Sequence, residues 1–320
     1  MKIFINIASY RDDLLELTIK DAYNKARYKD SLVFGVFEQN VKELSINPKD
    51  FDFSDQIRYT RVDPYYARGC CWARSNVQSM WEGEEYYLQI DSHTIFDEYW
   101  DVRLIDNLDL LKVYHNKPII TGYPKGFDIV EKGSYNKHQC ERTHALTAKD
   151  FPNDENSYFL RMQSIVPKKE ITHGFLMSAG FQFTEGSIVE EVPYDPFLFF
   201  EGEEQSYTLR CWTRGYNFFH TPNDPIYHLY GISNKVLLWD DKDSDEKRNN
   251  HWNEKSDYAK DRLTKLMTEQ IRGIYGFGNE RTLRQYESWT GIDFLNKQLS
   301  ENAKTGSKIF ELEYTESIKL

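Results

Sequence analysis

The stretch YYLQIDSH, residues 86–93, sets the fold class and indicates where the site lies. Five strand-forming residues run directly into an acid and a histidine spaced two apart, Asp91 and His93. Side chains at i and i+2 of a strand end point to the same side, so a carboxylate oxygen and an imidazole nitrogen can bind one divalent ion. Open α/β folds bind ligands at the carboxyl edge of the sheet. The pattern therefore predicts a metal that holds a nucleotide diphosphate at this edge.

The chain around this stretch alternates between strands and helices over its first 120 residues. Five strands are predicted, over residues 3–8, 32–37, 57–62, 86–90 and 118–122. Two helices are predicted from apolar residues that share one face, Leu15, Ile19, Ala22 and Ala26 for the first and Ala73, Val77, Met80 and Trp81 for the second. Asp13 and Glu16 resemble a capping box at the start of the first helix. The alternation predicts an α/β fold with a mostly parallel central sheet flanked by helices.

Length and charge restrict the class of protein. The 320 residues are 40% hydrophobic and 28% charged, which is typical of a large globular domain. The net charge of −11 argues against nucleic acid as a partner, because nucleic-acid binding needs a basic face. The first apolar run is too short for a signal peptide or a membrane span, and the four cysteines do not form a secreted disulfide framework. We therefore expect a cytoplasmic protein, with peripheral membrane association left open.

Two motifs are candidates for nucleotide binding. Residues 8–12, ASYRD, end the first strand, where a nucleobase and ribose would meet the sheet. Residues 67–74, ARGCCWAR, open a helix. There Gly69 would let the backbone approach a ligand, and Arg68 and Arg74 would bring positive charge to a diphosphate. Neither a dinucleotide fingerprint nor a P-loop occurs in the sequence, so any nucleotide is held in another way.

Three later stretches carry acids and a histidine. FFEGEE, residues 199–204, places Glu203 and Glu204 after an apolar run, where one carboxylate is expected to cap the next helix while the other faces a ligand. PIYHLY, residues 225–230, offers His228 on a short strand. The polar run over residues 240–256 is predicted to be a solvated loop, followed by an amphipathic helix with Ala259, Leu263, Leu266, Met267 and Ile271 on its apolar face.

Several strings together resemble the GlcNAc-transferase family of the Skp1 hydroxyproline N-acetylglucosaminyltransferase type. The resemblance covers about residues 3–290, and residues 123–170 carry little of it. Its strings are IASYRD (7–12), ARG (67–69), CWAR (71–74), YYLQIDSH (86–93), SAGF (178–181), VPYDP (192–196), GEE (202–204), WTRGY (212–216), HLY (228–230) and GxxRTL (278–283).

The resemblance implies a GT-A (Rossmann-like) glycosyltransferase that uses UDP-GlcNAc and a divalent metal, Mn²⁺ or Mg²⁺, and retains the anomeric configuration. By a further likeness to the polypeptide GalNAc-transferases, the metal ligands would be Asp91, His93 and His228. Uridine would lie against Ala8, Ser9, Tyr10 and Arg11, and the diphosphate near Arg68, Gly69, Arg74 and Asp91. Glu203 or Glu204 would act on the sugar or the acceptor, with Asp195 as the alternative catalytic group.

The resemblance also suggests how the chain is divided. Residues 1–290 would form the GT-A domain, with residues 1–120 as the nucleotide-sugar half and residues 121–240 as the acceptor half. Residues 256–320 would form a C-terminal helical extension. The acceptor would be a hydroxyl of a protein or a glycan.

Three other functions remain open from the sequence. One is a transferase that uses UDP-GalNAc, UDP-Glc or UDP-Gal in bacterial surface-glycan synthesis. Another is a nucleotidyltransferase, which usually has a glycine-rich basic loop after the first strand, where this chain has residues 9–12, SYRD. The last is an inert carbohydrate-binding protein, which is expected to have lost metal ligands or the acidic pair.

Overall fold

The computed structural model describes residues 1–131, 134–138, 142–152, 157–166, 170–231, 236–248 and 251–307. Its helices are α1 Leu15–Lys25, α2 Cys70–Gln78, α3 Trp100–Lys112, α4 Ile188–Glu191, α5 Glu203–Trp212, α6 Lys242–Asp245, α7 Trp252–Met267, α8 Leu283–Thr290 and α9 Glu301–Thr305. Its strands are β1 Ile3–Tyr10, β2 Leu32–Gln39, β3 Ile57–Val62, β4 Tyr86–Asp91, β5 Thr94–Phe96, β6 Pro118–Thr121, β7 Lys125–Glu131, β8 Ser134–Lys137, β9 Ala145–Asp150, β10 Arg161–Ile165, β11 Thr172–His173, β12 Phe181–Glu185, β13 Asn217–His220, β14 Ile226–His228, β15 Ile292–Asp293 and β16 Gln298–Leu299.

The central sheet has eight strands in the order β11-β13-β6-β12-β4-β1-β2-β3. β1, β2, β3 and β4 run parallel, β12 is antiparallel to both of its neighbours, and β13 is again parallel to β6. In register, Ala8 of β1 lies beside Asp91 of β4, and Tyr10 lies beside Gln39 of β2. The α/β class and the mostly parallel sheet are confirmed, and the carboxyl ends of β1, β2 and β4 meet at one edge.

The start of α1 differs from the capping box expected at Asp13 and Glu16. The residue before the helix is Leu14, and no side chain caps it. The carboxylate of Asp12 instead accepts the backbone N–H of Leu14, at 3.0 Å. An aspartate that bonds the backbone two residues ahead forms an Asx-type turn, which replaces the capping role predicted for Asp13.

The ends of two other helices also differ from the prediction. α2 ends at Gln78, so Met80 and Trp81 lie beyond it and pack half-buried against the core. α7 ends at Met267, so Ile271 lies outside it. Its other predicted residues, Ala259, Leu263, Leu266 and Met267, are buried as expected. The period of the apolar pattern placed both helices, but the pattern does not mark where each helix ends.

A second, four-stranded sheet has the order β5-β14-β7-β8, and its strands alternate along the chain with those of the central sheet. β14 runs antiparallel to β5, which places His228 opposite Thr94, the residue that follows His93. Because β5 begins three residues after β4 ends, this pairing returns a late part of the chain to the carboxyl edge of the central sheet. Within the described ranges, no helix is both long enough and apolar enough to cross a membrane.

The polar run over residues 240–256 is not the solvated loop that its charge suggested. Asp241 and Arg248 are both buried, and α6 forms between them. Tyr10 and Arg11 each donate a hydrogen bond to the carboxylate of Asp241, both at 2.7 Å. Arg248 donates to the backbone carbonyl of Pro64 at 2.8 Å. These two buried charges are satisfied by the end of β1 and the loop before α2, so this part of the run packs on the protein, whereas Lys242, Asp243, Glu246 and Lys247 are exposed. Residues 249 and 250 lie outside the described part.

Candidate active site

Asp91, His93 and His228 lie together at the carboxyl edge of the central sheet. Asp91 ends β4 and His228 ends β14. The Nε2 of His228 is 3.1 Å from Oδ2 of Asp91, and the two imidazole rings are 4.5 Å apart between centroids. One ligand atom from each of the three residues lies within 4.8 Å of the other two. The structure therefore brings the predicted ligands into one group with the size of a metal site, although metal binding itself stays a prediction.

Asp12 orients His93, a role that the sequence did not indicate. Its Oδ2 is 2.7 Å from the Nδ1 of His93 and accepts the hydroxyl of Ser92 at 2.7 Å. A histidine that ligates a metal commonly donates its other ring nitrogen to a carboxylate, which fixes the ring and its tautomer. Because Asp12 occupies Nδ1, the Nε2 of His93 is the atom available to a metal. The sequence did contain a signal for this contact, namely an acid directly after β1, because β1 pairs with β4, the strand that leads to His93.

Arg74 sits between two carboxylates. Its guanidinium is buried, with Nη2 2.8 Å from Oδ1 of Asp91 and Nε 2.9 Å from Oε1 of Glu203. Burial raises the pKa of Asp91, but the hydrogen bond with His228 and the charge of Arg74 outweigh it and hold this pKa well below its ordinary value. Asp91 is therefore ionised at neutral pH. Arg74 lines the cavities beside Asp91 but already shares its charge, so its predicted contact with a diphosphate stays a prediction.

Arg68 and Gly69 are adjacent in the chain but have different surroundings. Arg68 is exposed, with its guanidinium 5.4 Å from the ring centroid of Trp72, and it faces a separate groove beside Tyr66 and Phe197. Gly69 has φ of 103°, and a Cβ there would lie 2.2 Å from the carbonyl oxygen of Phe199. Only glycine fits such a position. The structure brings Gly69, but not Arg68, to the cavity beside Asp91.

A cavity of about 370 Å³ extends from Asp91 and His93 along the end of β1. Ala8, Ser9, Tyr10 and Gln39 form one wall, and residues 236–239 form the opposite one. Arg11 is not among its described lining residues, since its guanidinium is held by Asp241. We refer to this space as the nucleotide-side cavity.

Two buried polar atoms lie in the wall of the nucleotide-side cavity. The Nε2 of Gln39 donates to the carbonyl oxygen of Ser9 at 3.0 Å. The Oε1 of Gln39 and the Oγ of Ser9 have no hydrogen-bond partner among the residues that the structure describes. A buried polar atom normally has a partner, so these two atoms are candidates for contact with a polar ligand or a water molecule. Gln39 was missed from the sequence, although a polar residue that ends β2 beside Tyr10 was the available signal.

A second cavity, of about 420 Å³, lies on the other side of the same residues. Tyr123, Gly180, Glu204 and Tyr230 are among its lining residues, and we call it the sugar-side cavity. It shares five residues with the nucleotide-side cavity, namely Cys70, Arg74, Asp91, Phe200 and His228. The two spaces therefore meet at Asp91 and His228.

The acidic pair at the start of α5 does not cap that helix as expected. Gly202 precedes the helix in a left-handed conformation, with φ of 84°, and has no side chain to cap it. Glu203 is buried between Arg74 and the thiol of Cys70, which donates to its Oε2 at 2.8 Å. Glu204 instead accepts the backbone N–H of Ala179 at 2.9 Å. Both carboxylates therefore have partners outside α5.

Glu204 has a perturbed pKa and lies in the sugar-side cavity. Burial raises this pKa to about 7, the N–H of Ala179 lowers it, and the charges of Glu203 and Asp91 raise it further. Its carboxylate therefore changes charge near neutral pH. Perturbed carboxyl groups in cavities are candidates for functional groups.

Asp195, the alternative catalytic group, lies elsewhere. Its Oδ2 accepts Arg262 of α7 at 2.6 Å, and its Oδ1 accepts the backbone N–H of Phe197 at 3.1 Å. It is buried and is not among the described residues that line either cavity. Asp195 therefore connects its own turn, residues 195–198, to α7.

Comparison with known proteins identifies one family. The model of a family described as Glycosyltransferase (GlcNAc) matches residues 45–296. No curated protein matches the chain.

Two solved structures illustrate the likeness in fold. GalNAc-T7, solved with UDP, GalNAc and Mn²⁺, has a TM-score of 0.61 and 11% identity over 93% of this chain and 58% of its own. TarS 1-349 of S. aureus, in complex with UDP-GlcNAc, has a TM-score of 0.43 and 11% identity over 95% of this chain and 83% of its own. The chain therefore spans little more than half the length of the GalNAc-T7 chain. At 11% identity the likeness to GalNAc-T7 concerns the fold alone, and it confirms the fold predicted from the sequence.

Proposed function

The chain belongs to the GlcNAc family of glycosyltransferases, and on that premise we propose that it transfers N-acetylglucosamine from UDP-GlcNAc to a hydroxyl group with the help of a divalent metal. The observation that carries the proposal is the meeting of two cavities at Asp91 and His228. A nucleotide in one cavity and a sugar in the other would place the diphosphate between them, beside the three candidate ligands. The acceptor, the cytoplasmic location and retention of configuration stay predictions.

The wall of the nucleotide-side cavity favours uracil. The Oε1 of Gln39 is an acceptor, because Nε2 of the same amide is already committed to the carbonyl of Ser9. Uracil presents an N3–H donor that would satisfy this atom, whereas cytosine has a lone pair at N3 and its nearest donor on the neighbouring 4-amino group. The structure of GalNAc-T7, whose fold matches, contains UDP and Mn²⁺, which supports a uridine nucleotide here as well.

Asp91, His93 and His228 fit a transition-metal ion. One carboxylate and two imidazoles form a donor set that suits Mn²⁺ and related ions, though it does not select one of them. A metal-bound histidine usually has a hydrogen-bond acceptor on its other ring nitrogen, and Asp12 supplies that acceptor for His93. A bound ion would neutralise the diphosphate and stabilise UDP as it leaves. Mg²⁺, which prefers oxygen ligands, fits this set less well.

Arg74, Glu203 and Glu204 would form the rest of the site, next to the candidate metal ligands. Arg74 positions Asp91 and Glu203 by contacting both carboxylates. Glu204 faces the sugar-side cavity, where its ionised form would support developing positive charge on the sugar or accept a hydrogen bond from the acceptor hydroxyl. Roles for Glu203 and Asp195 at the reacting atoms have less support, because each carboxylate already has a cationic partner, Arg74 for Glu203 and Arg262 for Asp195.

Incubation with a panel of sugar nucleotides tests the proposed function. With Mn²⁺ present, UDP release is expected to be fastest from UDP-GlcNAc and slower from UDP-GalNAc, UDP-Glc and UDP-Gal, and a chelator should abolish it. Faster release from another donor would change the sugar but not the reaction. Formation of pyrophosphate in place of UDP would instead indicate a nucleotidyltransferase, and binding of sugars without any turnover would indicate an inert carbohydrate-binding protein.

Replacing Gln39 by methionine is expected to remove the preference for uracil. The native protein should bind UDP about tenfold or more tightly than CDP, because CDP places a lone pair at N3, where UDP offers a donor to the Oε1 of Gln39. Competition of the two nucleotides, with Mn²⁺ fixed, measures this ratio for each variant. Gln56→Met is the matched control, since the amide of Gln56 bonds the carbonyls of Lys29 and Leu32. An unchanged ratio in the Gln39 variant would place base recognition elsewhere.

A further inference from the structure

A second group of metal-binding side chains lies beside the first. Cys70 and Cys71 begin α2, and Glu203 begins α5. The two Sγ atoms are 4.0 Å apart, and Sγ of Cys70 is 2.8 Å from Oε2 of Glu203. Ligand atoms of these three residues all lie within 4.8 Å of one another. The proposed transfer reaction uses neither thiol.

We propose that Cys70, Cys71 and Glu203 form a binding site for a thiophilic divalent cation, such as Zn²⁺ or Cd²⁺, at the junction of the two cavities. In a tetrahedral site with Zn–S bonds of about 2.3 Å, two sulfur ligands are about 3.8 Å apart. The observed 4.0 Å between the Sγ atoms needs only a small adjustment to match this value. The carboxylate supplies the third ligand, and water from the cavity would supply the fourth.

An ion has a route to this group. Cys71 is buried, but Cys70 is only partly buried and lines both the nucleotide-side and the sugar-side cavity. An ion that reaches Cys70 through either cavity is then within reach of the other two ligand atoms. No rearrangement of the backbone is needed, because α2 and α5 already hold the side chains together.

The charges in the loaded site would be largely compensated. Two thiolates and one carboxylate carry three negative charges, while the ion carries two positive charges and the guanidinium of Arg74 a third, which it shares with Asp91. Arg74 already contacts Glu203, with its Nε 2.9 Å from Oε1. Buried charges persist when they are paired in this way. Burial raises the pKa of Cys71 well above its ordinary value, so metal binding must displace protons and should weaken as the pH falls.

The two candidate metal sites differ in chemistry. Asp91, His93 and His228 offer oxygen and nitrogen, which suit Mn²⁺, whereas the cysteine site offers sulfur, which suits softer ions. An ion at Cys70 would also occupy the wall that both cavities share. We therefore infer that thiophilic ions inhibit the enzyme that Mn²⁺ activates. This inhibitory effect depends on the proposed function, whereas binding of the ion does not.

Titration of the reduced full-length chain with Cd²⁺ tests the binding. Coordination by thiolate gives an ultraviolet charge-transfer absorption that the ligands Asp91, His93 and His228 cannot produce. Because Cys140 lies outside the described residues, every protein in the series carries Cys140→Ser. Cys70→Ser and Cys71→Ser are compared with Cys211→Ser, which removes a buried thiol that is not part of the group.

The expected result is one Cd²⁺ per chain, bound with the absorption of two thiolates. Either single variant, Cys70→Ser or Cys71→Ser, should lower the affinity by more than about tenfold, while Cys211→Ser should leave it unchanged. Glu203→Gln should weaken binding but keep the absorption, since both sulfurs remain. The absence of the absorption in the protein with all three thiols reduced would overturn the proposal. Full absorption in both cysteine variants would also overturn the proposal. If Cys71→Ser does not fold, the Cd²⁺ titration of Cys70→Ser alone decides the result.

Inhibition is measured separately, as loss of UDP release when Zn²⁺ is added at saturating Mn²⁺. Each variant is compared with its own rate without Zn²⁺, and Cys70→Ser should shift the inhibitory concentration upward by about tenfold or more. Equal inhibition of Cys70→Ser and Cys211→Ser would mean that Zn²⁺ acts at Asp91, His93 and His228, and would overturn the inhibitory role. Absence of transferase activity in every protein would contradict the proposed function but leave the Cd²⁺ result intact.

Discussion

Asp91→Asn is expected to lower Mn²⁺-dependent turnover by about a thousandfold. The substitution removes the only carboxylate among the three candidate ligands and the charge that both His228 and Arg74 contact. A metal that neutralises a leaving diphosphate contributes several kcal/mol to stabilisation of the transition state, and about 4 kcal/mol corresponds to this factor in rate. UDP release under saturating Mn²⁺ measures turnover, and calorimetry measures Mn²⁺ affinity, which should fall in parallel.

The fold of this variant should survive, because asparagine keeps an oxygen that can accept Arg74. Asp97→Asn is the matched control. Asp97 contacts Lys137 at 2.6 Å and is not among the described residues that line either cavity. The control should keep its turnover and its Mn²⁺ affinity. Full turnover in Asp91→Asn would mean that these three residues do not form the metal site.

Glu204→Gln is expected to reduce turnover by about a hundredfold, whereas Glu203→Gln should mainly reduce stability. Glu204 lines the sugar-side cavity, and its ionised form would act on charge that develops in the transition state. Glutamine can still accept the N–H of Ala179, and it removes a desolvated charge, so the variant should melt no lower than the native protein. Glu203→Gln keeps an oxygen for Arg74 but removes a negative charge that is buried beside the guanidinium, whereas Asp91 is partly exposed, so the Glu203 variant should lose about 3 kcal/mol of unfolding free energy.

The pH dependence of turnover provides a second measure of Glu204. Its pKa is raised from the ordinary value of 4.5 to about 7, so the ionised fraction increases as the pH rises through this range. Turnover of the native enzyme should therefore rise with pH, with an inflection at or below 7, since a bound cation near Asp91 lowers this pKa. The inflection should be absent in Glu204→Gln. If both glutamine variants turn over normally and the inflection persists, the group that acts on the sugar lies elsewhere.

Local pattern accounts for most of the fold that could be predicted. The runs ending at Ala8, Phe37 and Ile90 are mostly apolar over a strand length, the run ending at Val62 is rich in β-branched and aromatic residues, and the observed strands contain each of them. Asp91 and His93 were found because their spacing of two is itself a local property. His228 was found only through the family resemblance, because β14 reaches β5 from more than 100 residues away.

The polar residues were harder to interpret, for a physical reason. A charged side chain looks the same in sequence whether water or a buried partner satisfies it. Arg74 was assigned to a diphosphate, which stays a prediction, but its contacts with Asp91 and Glu203 were not foreseen. Asp195 was assigned to catalysis, which also stays a prediction, but its contact with Arg262 was not foreseen. In both cases the partner is set by tertiary packing, so no window of sequence could have supplied it.

The contacts of Asp241 with Tyr10 and Arg11 also bear on the stage of synthesis and folding at which the nucleotide-side cavity forms. These residues are separated by more than 200 positions. Loop closure over such a distance carries a large entropic cost and belongs to the slow, late part of folding. When β1 to β4 have left the ribosome, the wall formed by the ends of β1 and β2 is therefore present. The lining residues 236–239 have not yet been synthesised at that stage. The nascent chain cannot enclose a nucleotide until residues 236–239 have been synthesised, so ligand-assisted folding can act only after that point.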